Sequence, residues 1–170
     1  MQTATFSGRR GIEFTRAAAA RAPGWRLALD KPPLLPIGEA FANIVPDAVS
    51  AVLGVAYEVS VDVLPLLDLS EGVLIGNYER RTVSIELLGD ASAPVDAFTL
   101  VSDRRDPTLV PSTRYMSLLI EGAVEHGLPA EYVEFLRQVP ARAPSLSAKA
   151  LRPWIDGALA AMRPRRDRTP

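Results

Sequence analysis

The chain has 170 residues and a mass of 18.4 kDa, a size that suits one globular domain. Hydrophobic residues make up 48% of it and charged residues 23%, which excludes wholesale disorder, collagen and coiled coil. Its 19 basic and 20 acidic residues give a net charge of −1, so no overall field attracts nucleic acid or an anionic membrane. We expect a soluble protein that binds neither nucleic acid nor membranes.

Cysteine and histidine, the residues of thiol chemistry and of zinc sites, are almost absent from the sequence. It has no cysteine, which excludes disulfides, thiolate nucleophiles, zinc ribbons and iron–sulfur clusters. His126 is the single histidine, so a histidine-rich metal site is excluded and a Ser-His-Asp arrangement would have to include it. We expect no cofactor and no metal ion, with catalysis carried by carboxylates and backbone dipoles.

No segment has the pattern of a membrane span or a secretion signal. Every window of about 18 residues contains a charge or a proline, and the N-terminus lacks an apolar signal core. The sequence therefore predicts a cytoplasmic protein.

The first half of the chain predicts strands and one short helix. Residues 25–29 alternate like a strand, 31–36 (KPPLLP) predict a loop, and 43–46 and 50–59 predict a short and a long strand. Ser60 is a predicted N-cap for a helix from 61 to about 70, which Pro65 should weaken or kink. The expected buried stripe of this helix consists of Val63, Leu64 and Leu67.

The second half predicts a hairpin followed by helices. Residues 77–88 alternate up to a turn at 89–90, and 95–101 form the plausible antiparallel partner. One amphipathic helix should begin at 111–112 and end near 125, and a second should run from 129 to about 138. A last helix near 146–162 contains Pro153, and Trp154 is its expected anchor on the domain.

This order of elements indicates a fold class. Hairpin strands with helices between them, without a regular βαβ alternation, favour an α+β fold with a mainly antiparallel curved sheet or small β-barrel flanked by helices. We expect residues 1–145 to form this domain and 146–170 to form an appended helix and polar tail.

The segment 67–80 (LDLSEGVLIGNYER) contains the most informative carboxylate. Glu71 falls where the short helix should end, just before Gly72, so it lies near the negative end of the helix dipole. That position, together with apolar neighbours at 73–75, should raise the pKa of Glu71 as an acid/base catalyst requires. The alternative is an exposed glutamate that merely ends a helix. Asp68, one turn earlier, would share a proton with Glu71 or cap a loop.

Several segments together resemble the gamma-glutamylcyclotransferase family, with its AIG2-like and BtrG-like cyclotransferase fold. The matching segments are NIVPD at 43–47, VLGVAYEVS at 52–60, LPLLDLSEGVLIGNYERRTVSIEL at 64–87 and PSTRYMSLLIEGAVEHGLPAEYVEFL at 111–136. The strand at 25–29 is similar to the second strand of the family. The resemblance covers roughly residues 20–140.

The resemblance implies roles for particular residues. Glu71 corresponds to the catalytic acid/base of the family, and Tyr78 and Tyr115 correspond to tyrosines of its γ-glutamyl pocket. Leu100 stands where the family often has another tyrosine. Taken without the resemblance, Tyr78 and Tyr115 would be interpreted as core aromatics with their hydroxyls satisfied elsewhere.

One family motif has no counterpart here. Family members begin with a strand that ends in a Y-G-S-N or Y-G-A-N loop, whose amides hold the glutamyl group, and this sequence contains no such loop. Truncation or a misplaced start codon is the simplest interpretation, and we expect the chain as given to be weakly active or inactive.

The function implied by the resemblance is cyclisation of an L-γ-glutamyl group to 5-oxoproline, as in glutathione metabolism, with release of an amine or amino acid. A small-molecule γ-glutamyl substrate is the expected partner, and a homodimer is possible. Two alternatives stay open. One is a noncatalytic relative that binds a γ-glutamyl group or a partner protein, and the other is an adaptor that docks a partner through residues 146–170.

Overall fold

A computed structural model of the chain describes residues 2–35, 37–90 and 93–161. Within these residues the chain forms four strands and four α-helices, preceded by a π-helical turn at Ala4–Arg9. The elements in chain order are β1 (Arg16–Lys31), β2 (Phe41–Glu58), α1 (Leu64–Glu71), β3 (Glu79–Leu87), β4 (Val95–Val101), α2 (Thr113–Glu125), α3 (Ala130–Gln138) and α4 (Leu146–Ala161).

The four strands form one curved antiparallel sheet in the order β2-β1-β3-β4. The predicted α+β class is therefore confirmed. The predicted hairpin is also present, because β3 pairs with β4 from Glu79 opposite Val101 to Ile85 opposite Val95.

The two long strands exceed their predicted lengths. β1 begins at Arg16 and includes a run of alanines at 17–20, a residue type with low strand propensity that gave no signal. Pairing with β2 along almost the whole of β1 overrides that propensity. The two strands predicted at 43–46 and 50–59 are one strand, and Pro46 is tolerated inside it because β2 lies at the edge of the sheet.

Helices α2 and α3 cover the face formed by β1 and β2. Their apolar side chains pack on Leu27, Leu29 and Leu53 of these strands. The buried members of this core are Met116, Ala123, Leu128, Val133 and Leu136. A second buried group joins β1 to β3 and consists of Ala20, Ala22, Val83 and Ile85.

The N-terminal segment packs against α1 and the end of β2. Phe6 and Ile12 form a buried cluster with Leu67, and the ring of Phe6 stacks on Tyr57 with 4.2 Å between centroids. This packing was not predicted from the sequence. It brings the loop that carries Arg10 to the C-terminal end of α1.

The buried side chain of Asn43 joins the outer strands β2 and β4. Its Nδ2 donates to the carbonyl oxygen of Ser102 at 2.7 Å, and the N–H of Ser102 donates to its Oδ1 at 3.0 Å. These two hydrogen bonds link β2 to the end of β4 close to the candidate site.

The last helix has the predicted bounds within one residue, but its predicted anchor is wrong. Trp154 is 82% exposed, and no residue of α4 is buried. The helix is instead held at its start, where the N–H of Ser145 donates to Glu39 Oε1 at 3.2 Å and its hydroxyl donates to the carbonyl oxygen of Ile37 at 2.8 Å. The predicted tail at 163–170 lies outside the described residues.

Two features are not found in the part of the chain that the structure describes. No helix there is long and apolar enough to cross a membrane. Nor do three or more histidine or acidic side chains cluster there in a way that could hold a metal ion.

Candidate active site

Glu71 is the last residue of α1, as the sequence predicts. Ser60 begins the preceding turn with its side chain accepting from the N–H of Asp62, and Pro65 lies in the first turn of α1, where a missing N–H costs little. The helix predicted from 61 is a 3₁₀ turn at Val61–Val63 followed by α1, and Pro65 lies where α1 begins. Gly72 ends the helix in the left-handed conformation at φ 71°, with its N–H directed at the carbonyls of Asp68 and Leu69.

Gly72 is required at this position for two reasons. A side chain rarely adopts its positive φ, and an added Cβ would lie 3.0 Å from Cβ of Asn77. The tight turn that follows Glu71 depends on this glycine, and it returns the chain so that Asn77 and Tyr78 lie beside α1.

The carboxylate of Glu71 is sheltered and paired. It forms an ion pair with the guanidinium of Arg10, and the side chains of Glu71 and Arg10 are only 12% and 16% exposed. The alternative of an exposed glutamate at a helix end is therefore wrong. The guanidinium favours the ionised carboxylate, an influence opposite to that of the helix terminus.

Asp68 does not share a proton with Glu71. Its carboxylate binds the guanidinium of Arg80 through two contacts, one of them 2.6 Å from Nε to Oδ1. This pair fixes β3 to α1 and leaves Glu71 as the carboxylate that faces Arg10.

Tyr78 and Tyr115 meet at one residue of β2, Ala42. The hydroxyl of Tyr78 donates to the carbonyl oxygen of Ala42 at 3.3 Å, and the N–H of Ala42 donates to the hydroxyl oxygen of Tyr115 at 3.0 Å. Ser112 positions Tyr115, because its hydroxyl caps α2 by accepting from the N–H of that residue. The predicted start of α2 is thus confirmed, and it places Tyr115 in the first helical turn.

Burial raises the pKa of both tyrosines, while the positive charge of Arg10 acts in the opposite direction on each. Both hydroxyls therefore stay protonated at neutral pH. The guanidinium of Arg10 contacts Glu71, and its charge also opposes the rise in the pKa of Tyr78 and Tyr115, so all three residues identified from the sequence lie within its electrostatic influence. Tyr115 also packs edge-on against Phe41, so the aromatic rings contribute to packing as well as to the site.

Leu100 lies on β4 opposite Arg80 of β3. It is partly buried and offers no polar group. The single histidine serves another purpose: its Nε2 lies 2.9 Å from the hydroxyl of Tyr57 and 3.3 Å from that of Thr3, so His126 fastens the N-terminal segment.

Three residues at the site were missed by sequence reasoning, and two of them are Lys31 and Asn77. Lys31 is 2% exposed, and its ammonium contacts Asn77 Oδ1 and lies 4.4 Å from the ring centroid of Tyr78. Asn77 Nδ2 in turn donates to the backbone oxygen of Glu71 at 2.8 Å. Composition was the one signal in the sequence that could have indicated Lys31. Only two of the 19 basic residues are lysines, and Lys31 is the one that ends β1.

The third is Arg10, whose role no pattern indicated. It lies in an irregular segment whose position depends on the burial of Phe6 and Ile12. Long-range packing of this kind is not visible in local sequence periodicity.

Two cavities lie away from these residues. One of about 80 Å³ lies between the long strands and helices α2 and α3, and a groove of about 410 Å³ opens beside Arg26, Tyr132 and Phe135. Neither is lined by Glu71 or by the two tyrosines of the site, so the cavities do not extend the candidate site.

Comparison with known proteins gives one family. The model of the AIG2-like family matches residues 51–136, a range that includes Glu71, Tyr78 and Tyr115. No curated protein sequence is significantly similar to the chain.

Solved structures share the fold. A protein described as gamma-glutamyl cyclotransferase has a TM-score of 0.72 at 21% identity, with 88% of this chain and 90% of that chain covered. An uncharacterized protein from Homo sapiens has a TM-score of 0.71 at 22% identity, with the same coverage. YkqA from Bacillus subtilis has a TM-score of 0.61 at 19% identity, with 81% of this chain and 49% of that longer chain covered.

Proposed function

The chain belongs to the AIG2-like family, and from that premise we propose that it is a gamma-glutamylcyclotransferase. The reaction converts an L-γ-glutamyl compound to 5-oxoproline and releases an amine or amino acid. The observation that carries the proposal is the sheltered ion pair of Glu71 with Arg10, whose charge acts on the two buried tyrosines that meet at Ala42.

The ion pair suits a zwitterionic ligand. A γ-glutamyl compound carries an α-ammonium and an α-carboxylate on one carbon atom, which are the charges complementary to Glu71 and Arg10. Insertion of this group exchanges one ion pair for two, with the ammonium on Glu71 and the carboxylate on Arg10. The substrate is then oriented by its own charges.

Glu71 transfers protons along the reaction path. As a carboxylate it takes a proton from the α-ammonium, and the freed amine attacks the side-chain amide carbonyl to close a five-membered ring. The attacking nitrogen loses a second proton after ring closure, and the carbon–nitrogen bond of the original amide breaks. The leaving nitrogen takes up both protons, so it departs as an ammonium and Glu71 is again a carboxylate. The products are the lactam and the released ammonium, and no water is consumed.

Protein donors stabilise the negative charge that develops on the carbonyl oxygen. Tyr115 is suited to this role, because its oxygen accepts from Ala42 and its own hydrogen can be donated to a ligand. The high pKa of the buried hydroxyl keeps that hydrogen in place at neutral pH. Because attack is intramolecular, holding the folded substrate in position supplies much of the rate.

A noncatalytic relative is the second candidate. The contact between Arg10 and Glu71 favours it, because a neighbouring guanidinium makes a carboxylate a weaker base for the proton of the α-ammonium. Such a protein would bind γ-glutamyl compounds and release no 5-oxoproline.

The deciding experiment measures 5-oxoproline released from γ-glutamyl dipeptides and γ-glutamylamides by the wild-type chain and by Glu71→Gln. Binding of the same compounds is measured by calorimetry. Release that depends on Glu71 supports the enzyme, binding without release supports the noncatalytic relative, and neither binding nor release contradicts both.

A further inference from the structure

Two cations at the site converge on one neutral oxygen. The ammonium of Lys31 and Nη1 of Arg104, the latter at 3.1 Å, both donate to Oδ1 of Asn77. Neither cation takes part in an ion pair of the described residues. The residues next to them in the sequence, Asp30 and Arg105, do form an ion pair. In it, Nε of Arg105 donates to Oδ2 of Asp30 at 2.9 Å.

This arrangement is costly without an anion. Lys31 is 2% exposed as a residue, so its ammonium has lost most of its hydration, and a carbonyl oxygen with an aromatic face replaces only part of it. The pKa of Lys31 is lowered to about 8, first by burial and then by the charge of Arg104. A carboxylate bound between the two cations would pair with both and relieve the repulsion.

The cation pair lies one side chain from Glu71. The amide of Asn77 contacts Lys31 through its oxygen and the backbone of Glu71 through its nitrogen. The ring below Lys31 belongs to Tyr78, whose hydroxyl meets Tyr115 at Ala42. Asn77 and Tyr78 therefore connect the cation pair to the chain at Glu71 and to the tyrosines of the candidate site.

Two carboxylates of a γ-glutamyl dipeptide have to be distinguished. The α-carboxylate of the glutamyl group adjoins the ammonium that binds Glu71, and the cation in contact with Glu71 is Arg10. Lys31 is separated from Glu71 by Asn77, which suits a group farther along the substrate. We propose that Lys31 and Arg104 bind the carboxylate of the leaving amino acid, so that the substrates are γ-glutamyl amino acids or peptides and not simple γ-glutamylamines.

This inference rests on the proposed function, and two matched compounds test it. γ-Glutamyl-L-alanine and γ-glutamylethylamide differ only in the carboxylate of the leaving group. The ratio of their kcat/KM values should favour the alanine compound by about 10- to 100-fold in the wild type, as expected for a charge-assisted contact. Lys31→Met should reduce that ratio by about tenfold or more, and Arg104→Gln should reduce it too.

The control is Arg81→Met. Arg81 is an exposed arginine that pairs with Glu79, and both residues lie on β3, the strand that begins directly after Tyr78. This substitution should leave the ratio unchanged. If Lys31 had only a structural role, its substitution would lower the stability of the protein. Lys31→Met should instead raise the melting temperature, because the variant no longer buries an ammonium that lacks a carboxylate partner. Arg104→Gln tests the same subsite should the lysine variant fail to fold.

Calorimetry with the Glu71→Gln chain separates binding from turnover, since both compounds lose the same contact at Glu71. Equal affinity for the two compounds overturns the subsite and leaves the proposed function standing. An equal loss of affinity for both on Lys31→Met also overturns it, because the lysine would then bind a group common to both. Failure of both compounds to bind or react contradicts the proposed function itself, and this inference falls with it.

Discussion

Arg10 contacts the carboxylate of Glu71, although the two residues lie 61 positions apart and belong to an irregular segment and to the end of a helix. The cluster of Phe6, Ile12 and Leu67 holds the segment against the helix. The electrostatic surroundings of Glu71 therefore depend on tertiary packing as well as on its position at the helix terminus.

Glu71→Gln should lower 5-oxoproline formation by at least about 100-fold, because the amide keeps the shape of the side chain but cannot exchange the proton. It should also lower the free energy of unfolding by about 1 to 3 kcal/mol, since Arg10 loses a charged partner. Activity assays and urea unfolding measure the two effects. Formation of product near the wild-type rate would remove Glu71 from the acid/base role.

Arg10→Met should weaken the use of γ-glutamyl-L-alanine and γ-glutamylethylamide to the same degree, by about tenfold or more, because both carry the α-carboxylate assigned to Arg10. This behaviour contrasts with the selective effect expected for Lys31→Met. Arg10→Lys keeps the positive charge and is the matched control, with part of the activity retained. A gain of activity in Arg10→Met would indicate instead that the guanidinium only blocks the site.

The sequence predicted the helix that ends at Glu71 and Gly72, the hairpin of β3 and β4 and the cap of α2 at Ser112, because each depends on local signals. Capping residues and strand alternation act within a few positions of the chain. The roles of Arg10, Lys31 and Asn77 were not predicted, since they depend on contacts between distant segments. Trp154 was predicted to anchor α4 from its residue type alone, but it is 82% exposed, because the burial of an aromatic depends on what covers it.

The two tyrosines should differ in their effect on stability. Tyr115→Phe leaves the N–H of Ala42 without its acceptor and should lower the free energy of unfolding by about 1 to 3 kcal/mol, whereas Tyr78→Phe removes only one donor to a carbonyl and should cost about 1 kcal/mol. Both should reduce kcat/KM several-fold. Urea unfolding measures the effect of each variant on stability, and steady-state kinetics measures its effect on activity. Unchanged kinetics in both variants would return these residues to a packing role alone.

The preference for a leaving group with a carboxylate should depend on pH through Lys31. The ammonium lies over the ring of Tyr78 and shares the oxygen of Asn77 with the cation of Arg104, and its pKa is lowered to about 8. Below that pH it is charged and binds the carboxylate of γ-glutamyl-L-alanine, so the kcat/KM ratio over γ-glutamylethylamide should be highest there. The ratio should fall as pH rises through about 8, and it should be low at all pH values in Lys31→Met.

Stability should change with pH in the opposite sense. Between about pH 8 and 10.5 the unfolded chain keeps the proton on Lys31 while the folded chain has released it, so the unfolded state binds more protons and the free energy of unfolding rises with pH. Urea unfolding at pH 7.5 and pH 9.5 measures this contribution as the difference between the wild type and Lys31→Met, which cancels the titration of other groups. A difference that does not change between the two pH values would show that Lys31 titrates normally, and the loss of preference for the carboxylate would then be expected only above about pH 10.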